Sequence, residues 1–229
     1  MHADAQIAPV AALLADAKRA AILFALSDGR ALPASELARR ARATASATSA
    51  HLAKLVEGGL LTVERHGRHR YYRLAKPEIV AALEALAAVA PPARAATFRE
   101  SQAAKAIRFA RTCYDHLAGE LGVRITDALV EQGALVPAGR DFELTAAGAA
   151  RFAELGIDTD RARRRRRAFA RACLDWSERR YHLAGALGTA LLERFLELHW
   201  IERTPSSRAV RVTNEGRRAF QRRFAVQVY

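Results

Sequence analysis

The chain has 229 residues, with Lys+Arg 37 against Asp+Glu 24 and a formal charge of +13. Hydrophobic residues at 51% and charged residues at 27% supply a core for one or two domains, which excludes a disordered or collagen-like chain. The apolar stretch from Ile7 to Leu26 is broken by Asp16, Lys18 and Arg19, too soon for the roughly 20 apolar residues of a membrane span. Met1-His2-Ala3-Asp4 lacks the basic start of a signal peptide, so a cytoplasmic location is expected. Two cysteines, Cys113 and Cys173, with no CxxC pair, exclude a disulfide scaffold. The positive surplus points to a polyanionic partner, nucleic acid first, although a GC-rich genome raises Arg in the same way.

Ala, Leu and Arg dominate and β-branched residues are thin, so most periodic segments are expected to be helices. Ile7 to Leu14 reads as a first helix. Asp16 caps a second, which runs to Leu26 and stops at Ser27-Asp28-Gly29. Pro33 and Ser35 open a third, Ala41 to Thr44 is a turn, and a further helix spans Ala45 to Glu57 before Gly58-Gly59. Leu60 to Glu64 and Arg70 to Leu74 then form a β-hairpin around Arg65-His66-Gly67-Arg68. Pro77 begins a helix through Ala90, and Pro91-Pro92 marks a domain boundary.

Beyond that boundary the chain repeats itself: His116-Leu117-Ala118-Gly119-Glu120-Leu121-Gly122 returns as His182-Leu183-Ala184-Gly185-Ala186-Leu187-Gly188. Each copy leads to a helical stretch, a short hairpin and a Thr-x-x-Gly helix start, at Thr145 and at Thr213. This order predicts two degenerate winged-helix-like repeats, about 113–156 and 173–224. The step from Leu117 to Gly133 is shorter than the matching step from Leu37 to Gly59 by about a turn and part of a helix. Only the first unit is therefore expected to present a separate helix to a DNA groove. The expected fold is mainly α with short β-hairpin wings, a DNA-binding and dimerisation domain over 1–92, and a sensing or interaction domain over 93–229.

On the helix from Ala45 to Glu57, the 3.6-residue period turns Thr48, Leu52, Leu55 and Val56 inward. The opposite arc carries Ser46, Ala47, Ala50, His51 and Lys54, with Ser49 at its edge. Small side chains admit a helix to the major groove, Ser and His can bond base edges, and Lys54 suits a phosphate. The following hairpin is basic, with Arg65, His66, Arg68, His69 and Arg70, and suits the phosphate backbone or the minor groove. An ordinary solvated helix face is the competing reading.

With these residues in place, the sequence resembles the ArsR-type winged-helix regulators. The resemblance rests on Leu13 to Leu23, on Ser35-Glu36-Leu37-Ala38, on Thr48 to Leu61 and on Gly67 to Leu74, and covers about residues 7 to 90. It implies a homodimeric DNA-binding transcriptional regulator, usually a repressor released by an effector. The first helix and the Pro77 to Ala90 helix would make the dimer, and Ser46, Ser49, His51 and their neighbours would contact DNA. Metal-sensing members carry a Cys-x-Cys cluster beside the recognition helix or an Asp-x-His set on the dimer helix. Here residues 37 to 60 hold no cysteine, and the Pro77 to Ala90 helix offers only Glu78 and Glu84. The C-terminal half resembles the extension of a longer ArsR-type subgroup.

Sensing candidates lie in that half: Cys113 with His116, and Cys173 with Asp175 and His182. Three apart on an expected helix, Cys113 and His116 would share a face and suit Zn²⁺ or another thiophilic metal. If the repeats pack together, four Cys/His ligands could converge, or the thiols could form a regulatory disulfide. Alternatively the cysteines are small buried hydrophobes and the histidines anchor a repeated fold signature, or a small organic ligand sits near Tyr114, Trp176, Tyr181 and Trp200. Arg161 and Arg163 to Arg167 would surround a helix as a solvated segment, or meet DNA phosphates or a partner subunit. No GxxxxGK[ST], GxSxG or HExxH occurs, and a non-catalytic role is expected. The alternative to a sequence-specific regulator is a tandem winged-helix scaffold or an architectural protein that coats DNA without sequence preference.

Overall fold

Pro9 in the first turn starts α1 (Ala8–Leu14), a short helix that buries none of its residues. In this computed structural model, residues 5–67, 69–91, 97–205 and 207–228 are described. Asp16 takes the extended cap conformation, and its carboxylate accepts the N–H groups of Lys18 and Arg19, both at 2.9 Å, opening α2 (Ala17–Ala25). β1 (Leu32–Pro33) leads to α3 (Ala34–Ala41), which ends where Arg42 turns left-handed at φ 49°. Thr44 Oγ1 accepts Ala47 N–H at 3.2 Å and starts α4 (Ala45–Glu57). Gly59, at φ +70°, reverses the chain after it.

β2 (Leu61–His66) and β3 (His69–Leu74) form the expected hairpin, paired from Leu61↔Leu74 to His66↔His69, and β1 adds to β3 through Leu32↔Tyr72. Ile22, Leu23, Leu26, Leu37, Leu52, Leu55 and Tyr72 are buried core residues of this winged helix-turn-helix. α5 (Glu78–Val89) follows, and the chain divides within it into two compact units, Met1–Leu83 and Glu84–Tyr229.

The second unit runs α6 (Phe98–Phe109), β4 (Arg111–Cys113), β5 (His116–Ala118), α7 (Glu120–Glu131), β6 (Leu135–Ala138), β7 (Asp141–Leu144), α8 (Ala146–Glu154) and α9 (Thr159–Arg163). It continues with β8 (Arg171–Leu174), β9 (Tyr181–Ala184), α10 (Gly185–Glu197), β10 (Ile201–Arg203), β11 (Val210–Val212) and α11 (Asn214–Phe224). The order hairpin, helix, hairpin, helix thus occurs twice. The copies are joined in one sheet of order β6-β7-β8-β9, with Asp141 opposite Arg171.

Two expectations change here. His116 and Cys113 do not share a helix; they face each other across the β4-β5 hairpin, and Cys173 and His182 do the same across β8-β9. The reason lies at Gly119 and Gly185, with φ +84° and +77°. A Cβ there would lie 2.5 Å from the Arg108 carbonyl oxygen or 2.6 Å from that of Ala168. Each His-Leu-Ala is therefore held extended until the glycine, where a new helix begins. The arginine run likewise does not wind round a helix, because α9 ends at Arg163.

The repeated Thr-x-x-Gly starts are explained directly. Thr145 and Thr213 accept the Gly148 and Gly216 N–H groups, both at 2.9 Å, and a Cβ on either glycine would strike the carbonyl of Ala134 or Trp200. The core of the unit holds Leu121, Ile125, Leu129, Phe152, Leu187, Leu191, Phe195 and Phe220, with Trp200 stacked on Phe195 at 5.3 Å between ring centroids. Most of α7 and α10 is enclosed.

Candidate DNA interface and buried cysteine–histidine cluster

On α4 the inward side holds Thr48, Leu52 and Leu55 buried and Val56 half-buried, while Ser46, Ala47, Ser49, Ala50 and Lys54 are exposed. Apart from Lys54 these exposed residues are small, as an approach to base edges requires. His51 departs from the expected picture: it is partly covered, and its Nδ1 lies 3.8 Å from Asp16 Oδ1, the oxygen that caps α2. Ser49 Oγ donates to the Ala45 carbonyl at 3.0 Å, which leaves its lone pairs outward.

In the hairpin, Arg65 stands directly opposite Arg70 and His66 opposite His69, all four exposed. Like charges opposite each other destabilise an isolated hairpin, and a phosphate backbone relieves that repulsion. Arg68, also expected at this interface, lies outside the described residues.

In the second unit, Cys113, His116, Cys173 and His182 come together. One ligand atom from each lies within 4.8 Å of the others, with Cys173 half-buried and the rest buried. His116 Nε2 and His182 Nε2 are 3.1 Å apart. Each ring turns its other nitrogen to a carboxylate: His116 Nδ1 is 3.4 Å from Asp115 Oδ1, and His182 Nδ1 is 3.4 Å from Asp175 Oδ2. The second contact is electrostatic rather than an aligned hydrogen bond, since His182 Nδ1 has no hydrogen-bond partner. The Asp115 carboxylate favours the proton on His116 Nδ1, which aims the His116 Nε2 lone pair at His182 Nε2. At 3.1 Å the two nitrogens need a proton or a metal ion between them, and a neutral histidine pair with one Nε2–H meets that need as well as a charged one.

The electrostatics agree with that geometry. Contact with the Cys173 thiol, then burial, pushes the Cys113 thiol up to about 12. Burial opposes charge on the His116 ring, but the Cys113 sulfur and the Asp115 carboxylate outweigh it and raise its pKa to about 9. Burial holds the His182 ring below the usual imidazole range. Burial would raise both carboxyls. Asp115 is nevertheless held at about 2 by His116 and Arg167, and Asp175 at about 2 by Arg111 and His182.

Asp175 has further partners. Its Oδ2 accepts from Gly119 N–H at 2.7 Å and Arg111 Nη2 at 2.9 Å, and its Oδ1 accepts from Ser177 Oγ at 2.7 Å. Arg111, wholly enclosed, also donates to Glu84 Oε2 at 3.1 Å, and Arg208 donates to Glu84 Oε1 at 3.1 Å. The Arg111 guanidinium sits 5.0 Å from the Trp176 ring centroid. A continuous polar chain thus leads from His182 through Asp175 and Arg111 to Glu84 on α5.

The sequence contains a signal for Asp115 and Arg111 that the His-Leu-Ala-Gly repeat alone does not reveal. Phe109-Ala110-Arg111-Thr112-Cys113-Tyr114-Asp115 returns as Phe169-Ala170-Arg171-Ala172-Cys173-Leu174-Asp175. Each copy supplies a cysteine, the carboxylate two residues on, and a histidine from the facing strand. The last glycine of each His-Leu-Ala-Gly-x-Leu-Gly gives close packing against the other copy's histidine: a Cβ on Gly188 would lie 3.3 Å from His116 Cβ, and one on Gly122 3.8 Å from His182 Cβ.

Members of the arginine run have partners inside this unit. Arg167 pairs with Asp115, Arg165 with Glu193 at 3.1 Å, and Arg163 lies over the Phe169 ring at 4.0 Å. Of the aromatic residues considered for an organic ligand, Trp200 belongs to the core, Trp176 covers Arg111, and Tyr181 is exposed. A cavity of about 590 Å³ lies elsewhere, between Asp141 to Leu144 and Ala168 to Ala170, beside Arg163. Among the described residues, no helix is long and apolar enough to cross a membrane.

A helix-turn-helix domain family matches residues 14–64. Over 222 residues, 97% of this chain and 98% of the relative, the chain is 50% identical to the HTH-type transcriptional regulator YdfF of Bacillus subtilis (strain 168). Among solved structures, the homodimeric winged helix-turn-helix DNA-binding domain of a possible ArsR-family regulator from Mycobacterium bovis is 26% identical, with 38% of this chain and 86% of that one covered and a TM-score of 0.33. The cadmium metal-sensor CMTR from Mycobacterium tuberculosis is 34% identical, with 39% and 99% covered and a TM-score of 0.32. With its capped α4, its basic hairpin and a relative that matches it over 97% of its length, the chain belongs to the HTH-type transcriptional regulators.

Proposed function

We propose that the chain is a non-catalytic, cytoplasmic repressor that binds a pseudo-palindromic operator as a homodimer and is released when an effector occupies its second unit. The observation that carries the reading is the exposed small-residue face of α4, Ser46, Ala47, Ser49 and Ala50 with Lys54, next to a hairpin whose Arg65 and Arg70 oppose each other. Base edges would be read by the α4 face and phosphates held by Lys54, Arg70 and Arg68. Dimerisation is supported by the apolar side chains left outside on and beside the helices the resemblance assigns to it: Ile7 at 74% and Val89 at 80% exposure, with Val10 and Leu86. The two C-terminal copies, read as degenerate winged-helix-like modules, enclose their helices and so serve sensing rather than groove reading.

Fluorescence anisotropy tests this, with the full chain titrated against the DNA upstream of its own gene and against a scrambled duplex, at several salt concentrations. Specific binding should exceed non-specific binding by about 10³-fold or more. Ala50→Glu, on the exposed face of α4, should abolish that preference without unfolding the chain. Equal, steeply salt-dependent binding to both duplexes would replace this reading with the architectural one.

A further inference from the structure

We propose that Cys113, His116, Cys173 and His182 bind one borderline-soft divalent cation of the zinc class in a closed four-ligand centre, half of it contributed by each copy of the repeat, and that this ion is the effector. The second clause rests on the regulatory reading above; the first does not. Tetrahedral coordination with metal–nitrogen bonds of about 2.0–2.1 Å and metal–sulfur bonds of about 2.3 Å puts its ligand atoms roughly 3.3–3.8 Å apart. The four atoms here already lie within 4.8 Å of one another, and the two Nε2 atoms at 3.1 Å. Movements of well under 1.5 Å therefore close the set.

The surroundings are those of a metal centre rather than of a hydrophobic filler. A cysteine acting only as a small apolar side chain needs no carboxylate two residues beyond it, yet both copies have one. Each carboxylate lies 3.4 Å from the Nδ1 of the histidine in its own hairpin, the position from which a carboxylate orients a metal-binding imidazole and raises the basicity of its Nε2. Two thiols and two imidazoles select zinc-class cations over magnesium or calcium, which prefer oxygen. All four positions of a tetrahedron are protein atoms, so the centre has no open site for catalysis. Uptake of the dication replaces the two S–H bonds by two metal–sulfur bonds and the proton held between the two Nε2 atoms by two metal–nitrogen bonds, so three protons leave to solvent, with no change of oxidation state.

The full chain, reduced and freed of metal with a chelator that is then removed, is titrated with Co²⁺. One equivalent should bind, with thiolate-to-cobalt charge transfer in the near ultraviolet and the intense visible bands of tetrahedral S₂N₂ cobalt, and one equivalent of Zn²⁺ should bleach both. Cys173→Ser, at the half-buried position, and His182→Gln should each weaken Co²⁺ binding at least 100-fold. Tryptophan fluorescence checks that each variant is folded. Absence of the charge-transfer band, or unchanged affinity in folded Cys173→Ser, would overturn the centre. Operator binding with and without one equivalent of Zn²⁺ tests the effector: a change of tenfold or more supports it, and an unchanged affinity overturns that role while the Co²⁺ spectrum still stands. A chain that shows no operator preference in either state would refute the regulatory reading without touching the metal site.

Discussion

Arg111→Met gives the most direct test of the polar chain behind the cluster. The substitution keeps most of the side-chain stem and removes the guanidinium, which is wholly enclosed and donates to Glu84 at 3.1 Å and to Asp175 at 2.9 Å. Breaking a buried ion pair costs about 3–5 kcal/mol, because the charges left behind lose their compensation. Here the lower end applies. Asp175 keeps the Gly119 N–H and the Ser177 hydroxyl, and Glu84 keeps Arg208. Arg111 Nε is also unsatisfied in the native state, which reduces what the wild type gains.

About 3 kcal/mol in a unit of this size lowers Tm by roughly 10 °C. Both tryptophans of the chain, Trp176 and Trp200, lie in the second unit, so their fluorescence follows the unfolding of that unit without interference from the first. Adding Glu84→Gln removes one of the two carboxylates that have lost Arg111, and the double variant should lose less than the sum of the single losses by about 1 kcal/mol or more. A shift in Tm of less than about 3 °C for Arg111→Met would refute the account of Arg111 as the charge that holds two buried carboxylates together.

Gly188→Ala should destabilise the second unit by about 1–3 kcal/mol in urea unfolding followed by tryptophan fluorescence, because its Cβ would lie 2.5 Å from the Leu183 carbonyl oxygen and 3.3 Å from His116 Cβ. Thr44→Ala removes the cap that accepts Ala47 N–H at 3.2 Å, at a cost of about 0.5–2 kcal/mol. Operator affinity should fall with it, since α4 frays at the end nearest the reading face. Arg70→Gln should weaken binding to every duplex alike and reduce the salt slope by about 1, as the loss of one phosphate contact predicts; a loss confined to the operator would instead make Arg70 a base reader.

The helices of the first unit were legible, and α4 shows why, whereas β1 was not expected and Arg65 and His66, expected in the turn, extend β2. The apolar period of α4, the Ala41 to Thr44 turn before it and the Gly58-Gly59 stop are local signals that agree with one another, and the helix occupies Ala45–Glu57 as they require. The cluster was legible in its membership and not in its geometry. A separation of three residues places Cys113 and His116 together on a helix, but it also places them opposite each other across a two-residue hairpin. Only the tertiary surroundings of Gly119, whose Cβ would collide with the Arg108 carbonyl, decide between the two. Arg111 was invisible for a different reason. Arginine is rarely enclosed unless paired, and its partners, Glu84 and Asp175, are remote in sequence.

The two copies of the repeat share their helix starts and element order as well as the cluster, and they differ at the arginine before each cysteine and in the length of the connection after it. Arg111 and Arg171 hold the same place in Phe-Ala-Arg-x-Cys-x-Asp, opposite Ala118 and Ala184. Arg111 is enclosed and serves Asp175 and Glu84, whereas Arg171 is exposed and stands at the single pairing with Asp141 in the neighbouring strand. The connections differ too, since Tyr114 and Asp115 alone join β4 to β5, while β8 and β9 are joined by the longer segment that carries Asp175 and Trp176. Constraints of the fold alone would leave the two carboxylates free to differ as the arginines do. Instead both hairpins set a cysteine against a histidine and a carboxylate behind that histidine, by routes of different length. What the two halves share is a requirement met only where they meet, at the four ligand atoms.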